Sequence, residues 1–224
     1  MKTAAIIVAG GVGSRFGEYP KQFEVLGGKT VISYSVETAV STVDQVVVVL
    51  PEDYLDQYST ILKEMGVNKV VPGGHSRSES VRHGLKEVDT KVEEVLVHDA
   101  ARPLATKRLF EIVLSKLNGG EKGVIPVIEI SDTVKRVSKG YVDLTLDRST
   151  LALVQTPQGF DRKVLTLAHE SFGDATDDST LVELLGYNVA VVPGEPENIK
   201  ITRSIDLKVA DILLQRTAAK DKPR

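Results

Sequence analysis

Ala4-Ala5-Ile6-Ile7-Val8-Ala9-Gly10-Gly11-Val12-Gly13-Ser14-Arg15 lies near the start of the chain, and its two halves obey different physics. Ala4 to Val8 is an unbroken apolar run, which predicts a short strand buried on both faces. Gly10, Gly11 and Gly13 follow at once. Without a Cβ, they let backbone N–H groups approach a bound anion closely. Arg15 and Lys21 add two positive charges a few residues further on. Bare amides flanked by an arginine and a lysine suit a polyphosphate whose charge grows during reaction.

Other readings of this loop fit less well. The dinucleotide fingerprint G-x-G-x-x-G needs glycine where Phe16 stands, and Gly17 comes one place late. Gly28-Lys29-Thr30 imitates the end of a P-loop, but Phe23 occupies the place of its first glycine. Met1-Lys2-Thr3 ahead of Ala4–Ala9 has the outline of a secretory leader. Its apolar run is at the short end of the usual range, roughly 7–15 residues, and runs straight into the glycine loop.

The chain has 224 residues, enough for one large domain or two small ones. We read residues 1–216 as one domain and residues 217–224 as a polar C-terminal tail. Hydrophobic residues make up 42% and charged residues 26%, a balance that predicts a packed globular core. The net charge of −3 argues against broad electrostatic binding to nucleic acid or an anionic membrane. Any anion site must therefore be local. The absence of cysteine excludes a disulfide framework, a thiolate metal site and a thiol nucleophile. No apolar run approaches the ~20 residues of a membrane helix, so a soluble cytoplasmic protein is expected.

Short apolar runs alternate with amphipathic segments. Strands are expected at Ala4–Val8, Gln45–Leu50, Val67–Val71, Glu93–His98, Gly123–Val127 and Asn188–Val192. Helices are expected near Thr30–Ser41, Asp53–Met65, Ser76–Val88, Thr106–Leu117, Asp161–Ser171, Thr176–Leu185 and Ser204–Arg216. The alternation predicts an α/β fold with a mostly parallel sheet covered by helices on both faces. Ser76 and Glu79 have the spacing of a capping box. The region 129–157 breaks the pattern. Val134 and Val137, then Tyr141 to Leu146, surround a turn at Ser138-Lys139-Gly140, which is a hairpin signal. It reads as a projecting arm, with an added antiparallel edge strand as the alternative.

The polar clusters fall in loops after strands: Gly10–Lys21, Gly73–Ser80 and His98-Asp99-Ala100-Ala101-Arg102-Pro103. Parallel α/β sheets bind ligands outside the carboxyl ends of their strands, so these loops should share one crevice. Asp99, at the end of a strand, is placed to hold Mg²⁺ through oxygen, or to act as a loop or capping carboxylate. His98 reads as a hydrogen-bonded strand-end histidine. Of Asp177 and Asp178, which follow Thr176 at an expected helix start, at least one reads as a helix cap. Lys200 alternates with Ile199 and Ile201, which turns it toward a possible pocket. The four histidines lack metal-ligand spacing, and no G-x-S-x-G elbow appears.

Taken in order, Ala9–Arg15, Pro20-Lys21-Gln22, Gly73-Gly74, His98–Pro103, Ser131–Arg136, Thr156-Pro157-Gln158, Ala175–Asp178 and Asn198-Ile199-Lys200 resemble the 2-C-methyl-D-erythritol 4-phosphate cytidylyltransferase family from about Thr3 to Leu214. The resemblance implies a Rossmann-like fold and a homodimer whose hairpin arms cross. It implies transfer of CMP from CTP to a polyol phosphate, 2-C-methyl-D-erythritol 4-phosphate, with Mg²⁺ and release of pyrophosphate. Arg15 and Lys21 would be the catalytic cations. Ala9, Gly10, Gly11, Gly13, Gly74 and Ser80 would line the CTP site. Asp99 would face the metal and both substrates. Arg102, Thr133, Arg148 and Lys200 would surround the phosphosugar or phosphates, with Thr133 and Arg148 reaching across from a partner's arm. Relatives that use ribitol 5-phosphate share the glycine loop and the Asn-Ile-Lys motif, and form the alternative. Val8 and His75 depart from the family pattern, where proline and an acidic residue are common.

Overall fold

The computed structural model describes residues 1–9 and 20–220, the side chains of 217–220 excepted. In chain order the elements are β1 (Lys2–Val8), β2 (Val25–Leu26), β3 (Lys29–Thr30), α1 (Val31–Val40), β4 (Gln45–Leu50), α2 (Leu55–Glu64), β5 (Lys69–Pro72), α3 (Arg77–Lys86), β6 (Val92–Asp99), α4 (Lys107–Asn118), β7 (Gly123–Glu129), β8 (Lys135–Ser138), β9 (Tyr141–Thr145), β10 (Ala152–Val154), β11 (Gln158–Asp161), α5 (Arg162–Ser171), α6 (Asp178–Leu184), β12 (Ala190–Pro193) and α7 (Ser204–Lys220).

β1 lies between β4 and β6, parallel to both, and β5 extends the sheet beyond β4. On the other side of β6 comes β11, antiparallel, and then β7. Val124 of β7 faces both Gly159 of β11 and Ala190 of β12. Val127 faces both Val154 of β10 and Pro193 of β12. A strand has two edges, so β12 occupies one and β10 and β11 share the other in succession. The sequence reading missed β10 and β11, which are only three and four residues long. Gln155-Thr156-Pro157 separates them, and proline cannot donate to a ladder.

The central strands alternate sides as period two requires. Ala5, Ile7, Val46, Val48, Leu50 and Leu96 join one core with residues of α1, α2 and α4. Ala4, Ile6, Val8, Val47, Val49, Val95 and Val97 join the other with residues of α3, α5 and α6. Both faces are covered, which is why these strands read as continuous apolar runs. The contact of α4 with β11 is close. A Cβ added at Gly159 would lie 2.5 Å from Val113 and 2.7 Å from Leu117. The last helix continues to Lys220, beyond the expected end at Arg216, and its Ala210 joins a small core with Leu26 of β2, Val31 of α1 and Ile201 of the preceding loop.

The hairpin is a separate two-stranded sheet, β8 with β9, and not an edge of the main one. Its Val137, Tyr141, Val142 and Leu144 are all exposed, Tyr141 at 80%. Among the described residues no helix is long and apolar enough to cross a membrane.

Candidate active site

The parallel strands end together. Ala9 N–H donates to Val49 O at 2.8 Å, Gly73 N–H to Leu50 O at 2.7 Å and Ala100 N–H to Val8 O at 3.0 Å. The loops that leave β1, β5 and β6 therefore start side by side at the carboxyl edge of the sheet. Gln22 donates from Nε2 to Ala9 O at 2.7 Å, which fixes the turn that begins at Lys21 beside the end of β1. Phe23 anchors the same turn by stacking on Tyr54 and Tyr58, with ring centroids 4.7 and 4.0 Å away.

Asp99, the last residue of β6, is the centre of the cluster. Lys200 Nζ lies 2.7 Å from its Oδ2 and Arg77 Nε lies 3.2 Å from its Oδ1. Arg102 Nε stands 4.0 Å from Oδ2. Burial pushes the Asp99 carboxyl up, but the charges of Arg77, Lys200 and Arg102 outweigh it and hold Asp99 far below the ordinary carboxylate range. Asp99 is therefore ionised throughout the physiological range. Arg102 donates from its two terminal nitrogens to Asn198 O at 2.9 Å and Val154 O at 3.3 Å. Its Nε is buried without a hydrogen-bond partner. A buried, unpaired donor on a cation is costly, and an incoming anionic oxygen would satisfy it.

The loop that carries Lys200 is held by Gln155. Gln155 donates from Nε2 to Glu195 O at 2.8 Å and accepts at Oε1 from Glu195 N–H at 3.0 Å. Asn198, fully buried, donates from Nδ2 to Thr156 O at 3.0 Å. Ile201 is fully buried while Lys200 turns to Asp99, as alternation expects. Behind the cluster, Arg77 reaches Asp178 Oδ2 at 2.7 Å. His169 donates from Nε2 to Asp178 Oδ1 at 3.0 Å.

The start of α3 is capped locally. Ser76 Oγ accepts from Glu79 N–H at 3.1 Å, and the Glu79 carboxylate accepts from His75 N–H at 2.6 Å. The return bond of the expected capping box thus falls one residue earlier than Ser76. Ser80 is buried, and its hydroxyl accepts from Gly74 N–H at 3.1 Å and donates to Ser76 O at 2.9 Å. Ser80 sets the backbone of the loop at Gly74. A Cβ at Gly74 would fall 2.2 Å from Glu79 Cγ, so a larger residue there would have to displace the Glu79 side chain that caps the loop.

Of the residues singled out from sequence, Asp99, Arg102 and Lys200 form one cluster. Ala9, Lys21, Gly74 and Ser80 sit on the neighbouring loops of the same edge. Gly10, Gly11, Gly13 and Arg15 lie outside the described residues. Thr133 precedes β8 and is exposed; Arg148 opens a short turn after β9 and donates to Ser131 O. Both belong to the arm and make no hydrogen bond to the Asp99 cluster within the chain. Sequence reading missed Arg77, Gln155 and the pairing role of Asp178. It expected at least one of Asp177 and Asp178 to cap the helix, and Asp177 does so, accepting from Thr180 N–H at 3.1 Å.

A protein cage for a metal is absent among the described residues, since no three acidic or histidine side chains converge. Asp99 offers hard carboxylate oxygens of the kind Mg²⁺ takes, and both are engaged here, Oδ2 by Lys200 and Oδ1 by Arg77.

A family model for 2-C-methyl-D-erythritol 4-phosphate cytidylyltransferase (IspD) matches residues 3–216. The chain belongs to this family. The IspD of Carboxydothermus hydrogenoformans is 41% identical over 98% of this chain and 98% of its own length. That of Rhodococcus jostii is 43% identical over 96% of each. The crystal structure of 4-diphosphocytidyl-2C-methyl-D-erythritol synthase from Anaerococcus prevotii superposes with a TM-score of 0.84 at 34% identity, over 96% of each chain. Membership in the IspD family makes this chain a cytidylyltransferase of isoprenoid biosynthesis. It favours methylerythritol phosphate over ribitol phosphate as the acceptor. The mixed, mostly parallel sheet expected from sequence is the fold of its IspD neighbours.

Proposed function

We propose that this enzyme joins CTP to 2-C-methyl-D-erythritol 4-phosphate in the crevice around Asp99, releasing pyrophosphate. The observation that carries the assignment of the site is the convergence of Arg77, Arg102 and Lys200 on Asp99 at the carboxyl edge of the sheet. The acceptor phosphate is ionised near pH 7, so the reaction needs no general base. Its oxygen attacks the α-phosphorus of CTP, the bond to the β-phosphate oxygen breaks, and pyrophosphate carries away the electron pair. Two anions must meet, and negative charge accumulates around the α-phosphorus. Arg15 and Lys21 offset that charge on the nucleotide side, and Arg102 and Lys200 hold the acceptor phosphate. The glycine loop, Gly74 and Ser80 shape the nucleotide site. Asp99 would be the residue that holds Mg²⁺, which would supply further charge neutralisation.

The exposed apolar face of the arm fits a homodimer in which Thr133 and Arg148 of the partner subunit complete the acceptor site. The test is pyrophosphate release from CTP with each of two acceptors, methylerythritol phosphate and ribitol 5-phosphate, with and without Mg²⁺. Release with the first acceptor and not the second is expected. Preferential release with ribitol phosphate, or none with either, overturns the reading.

A further inference from the structure

Asp178 has no part in the chemistry described above, yet it is among the most deeply buried carboxylates of the chain, 1% exposed. It occupies the first turn of α6, where its neighbour Asp177 already caps the helix. Its own oxygens are committed elsewhere. Oδ1 accepts from His169 Nε2 at 3.0 Å, and Oδ2 takes Arg77 at 2.7 Å. His169 is itself 3% exposed and belongs to α5. The Asp178 backbone N–H is held by Gln158 Oε1 at 3.3 Å. Every polar contact of Asp178 therefore fixes its direction, and the direction is toward Arg77.

Arg77 in turn binds two carboxylates with different nitrogens, Asp178 through a terminal nitrogen and Asp99 through Nε. A guanidinium is a rigid planar fork. Where Asp178 holds one prong, the other prong has one place to go, and Asp99 Oδ1 is there. With Oδ1 engaged, Oδ2 faces Lys200 and the crevice. We propose that Asp178, oriented by His169, is a positioning residue that sets the Asp99 carboxylate for the reaction through Arg77. The alternative is that the pair only fastens α3 to α6.

The proposal rests on the reading of Asp99 given under Proposed function, and one set of proteins separates the two. The set is wild type, Asp178→Asn, Asp178→Glu, Asp99→Asn and the double variant Asp178→Asn with Asp99→Asn. Cytidylyl transfer is followed with radiolabelled CTP in single-turnover mode, well below each melting temperature. Displacing a reacting group by an ångström costs up to about a hundredfold in rate. Asp178→Asn should lose about tenfold to a hundredfold in rate with CTP affinity within about threefold, in keeping with that scale. Asp178→Glu should recover part of the loss. In the Asp99→Asn background, Asp178→Asn should cost nothing more, because its target is gone. An equal loss in both backgrounds, or a wild-type rate for Asp178→Asn, overturns the proposal. Should Asp99→Asn show no turnover, Asp178→Asn and Asp178→Glu decide alone: a loss of rate at unchanged CTP affinity, partly recovered by glutamate, supports the proposal, and a wild-type rate, or a loss of CTP affinity as large as the loss of rate, overturns it. A wild-type protein without transfer activity overturns the functional reading and not this pairing alone.

Discussion

Acid should destabilise this protein through His98, and the size of the effect follows from its surroundings. His98 is fully buried beside Asp99. Its Nε2 faces the carbonyl of Arg102 at 3.3 Å. A carbonyl only accepts, so Nε2 carries the proton. Nδ1 lies 3.0 Å from Thr156 Oγ1, and in the neutral ring it accepts from that hydroxyl. Thr156 Oγ1 also accepts from Asp99 N–H at 3.1 Å, which leaves the hydroxyl proton to His98. A second ring proton would meet this arrangement with a donor where an acceptor is needed, and with a charge away from water. Burial is the main cause that lowers the His98 pKa from 6.5 to about 4; Asp99 opposes it and Arg102 adds to it. The unfolded chain therefore takes the proton first. The contribution to stability is complete above pH 6.5 and is lost as pH falls toward 4. At pH 4.5 the loss is about 2.5 kcal/mol, from the ratio of proton binding in the two states. Urea unfolding at pH 7.5 and 4.5 measures it against His98→Gln, which keeps an N–H for the Arg102 carbonyl but cannot titrate. Other groups titrate in both proteins and largely cancel. The stability gap between the two proteins should shift by about 2.5 kcal/mol against wild type at the lower pH. A gap independent of pH, or a His98 ring resonance that titrates near 6.5, refutes the reasoning.

Arg77→Gln leaves Asp178 buried without its cation, a change that costs about 3–5 kcal/mol and should lower the calorimetric melting temperature by about 6–20 °C in a chain of this size. Gly159→Ala pushes a methyl group against Val113 and Leu117 and should cost about 1–3 kcal/mol in urea unfolding; an unchanged midpoint rejects the tight contact of α4 with β11. Lys21→Ala should reduce kcat for pyrophosphate release by roughly 10²–10³ while calorimetry shows CTP still bound; a near-wild-type rate with normal CTP binding rejects its catalytic role. Sedimentation analysis should find this chain dimeric and a variant with Val137, Tyr141, Val142 and Leu144 all replaced by serine monomeric; a wild-type monomer, or an unchanged dimer in the variant, rejects the arm as an interface.

The strands and helices of the parallel half were legible because burial on both faces leaves only apolar residues between turns. β4, for example, runs from Gln45 to Leu50 as expected from its valines. β10 and β11 were hidden by the opposite circumstance. Each is short, and the residues between them, Gln155 to Pro157, read as a loop. Yet Gln155 and Thr156 are buried, at 3% and 4% exposure, and their side chains hold Asn198 and Asp99. A polar run flanked by apolar residues was the available signal. In the site, Asp99, Arg102 and Lys200 were legible from position after a strand or from alternation. Arg77 was not. It lay in a cluster that helix capping already explained, and its two carboxylates are 22 and 101 residues away in sequence. Local pattern carries no information about such a pairing.

How a chain of net charge −3 gathers anions is then a question of local balance. Around Asp99 stand Arg77, Arg102 and Lys200, with Asp178 behind. Three cations face two carboxylates, so the cluster keeps an excess positive charge that a phosphate can meet. The cations differ in access. The side chains of Arg102 and Arg77 are 12% and 24% exposed, that of Lys200 40%. Stripping a cation from a buried carboxylate is expensive, so a ligand should draw on the cation whose departure uncovers least. Lys200 is that cation. It has a flexible stem and a single compact charge, and Asp99 keeps Arg77 on its other oxygen if Lys200 turns to a phosphate. The Arg77 pair would then sustain the carboxylate while Lys200 exchanged one anion for another, and the same cluster would be stable before binding and receptive to an anion during it.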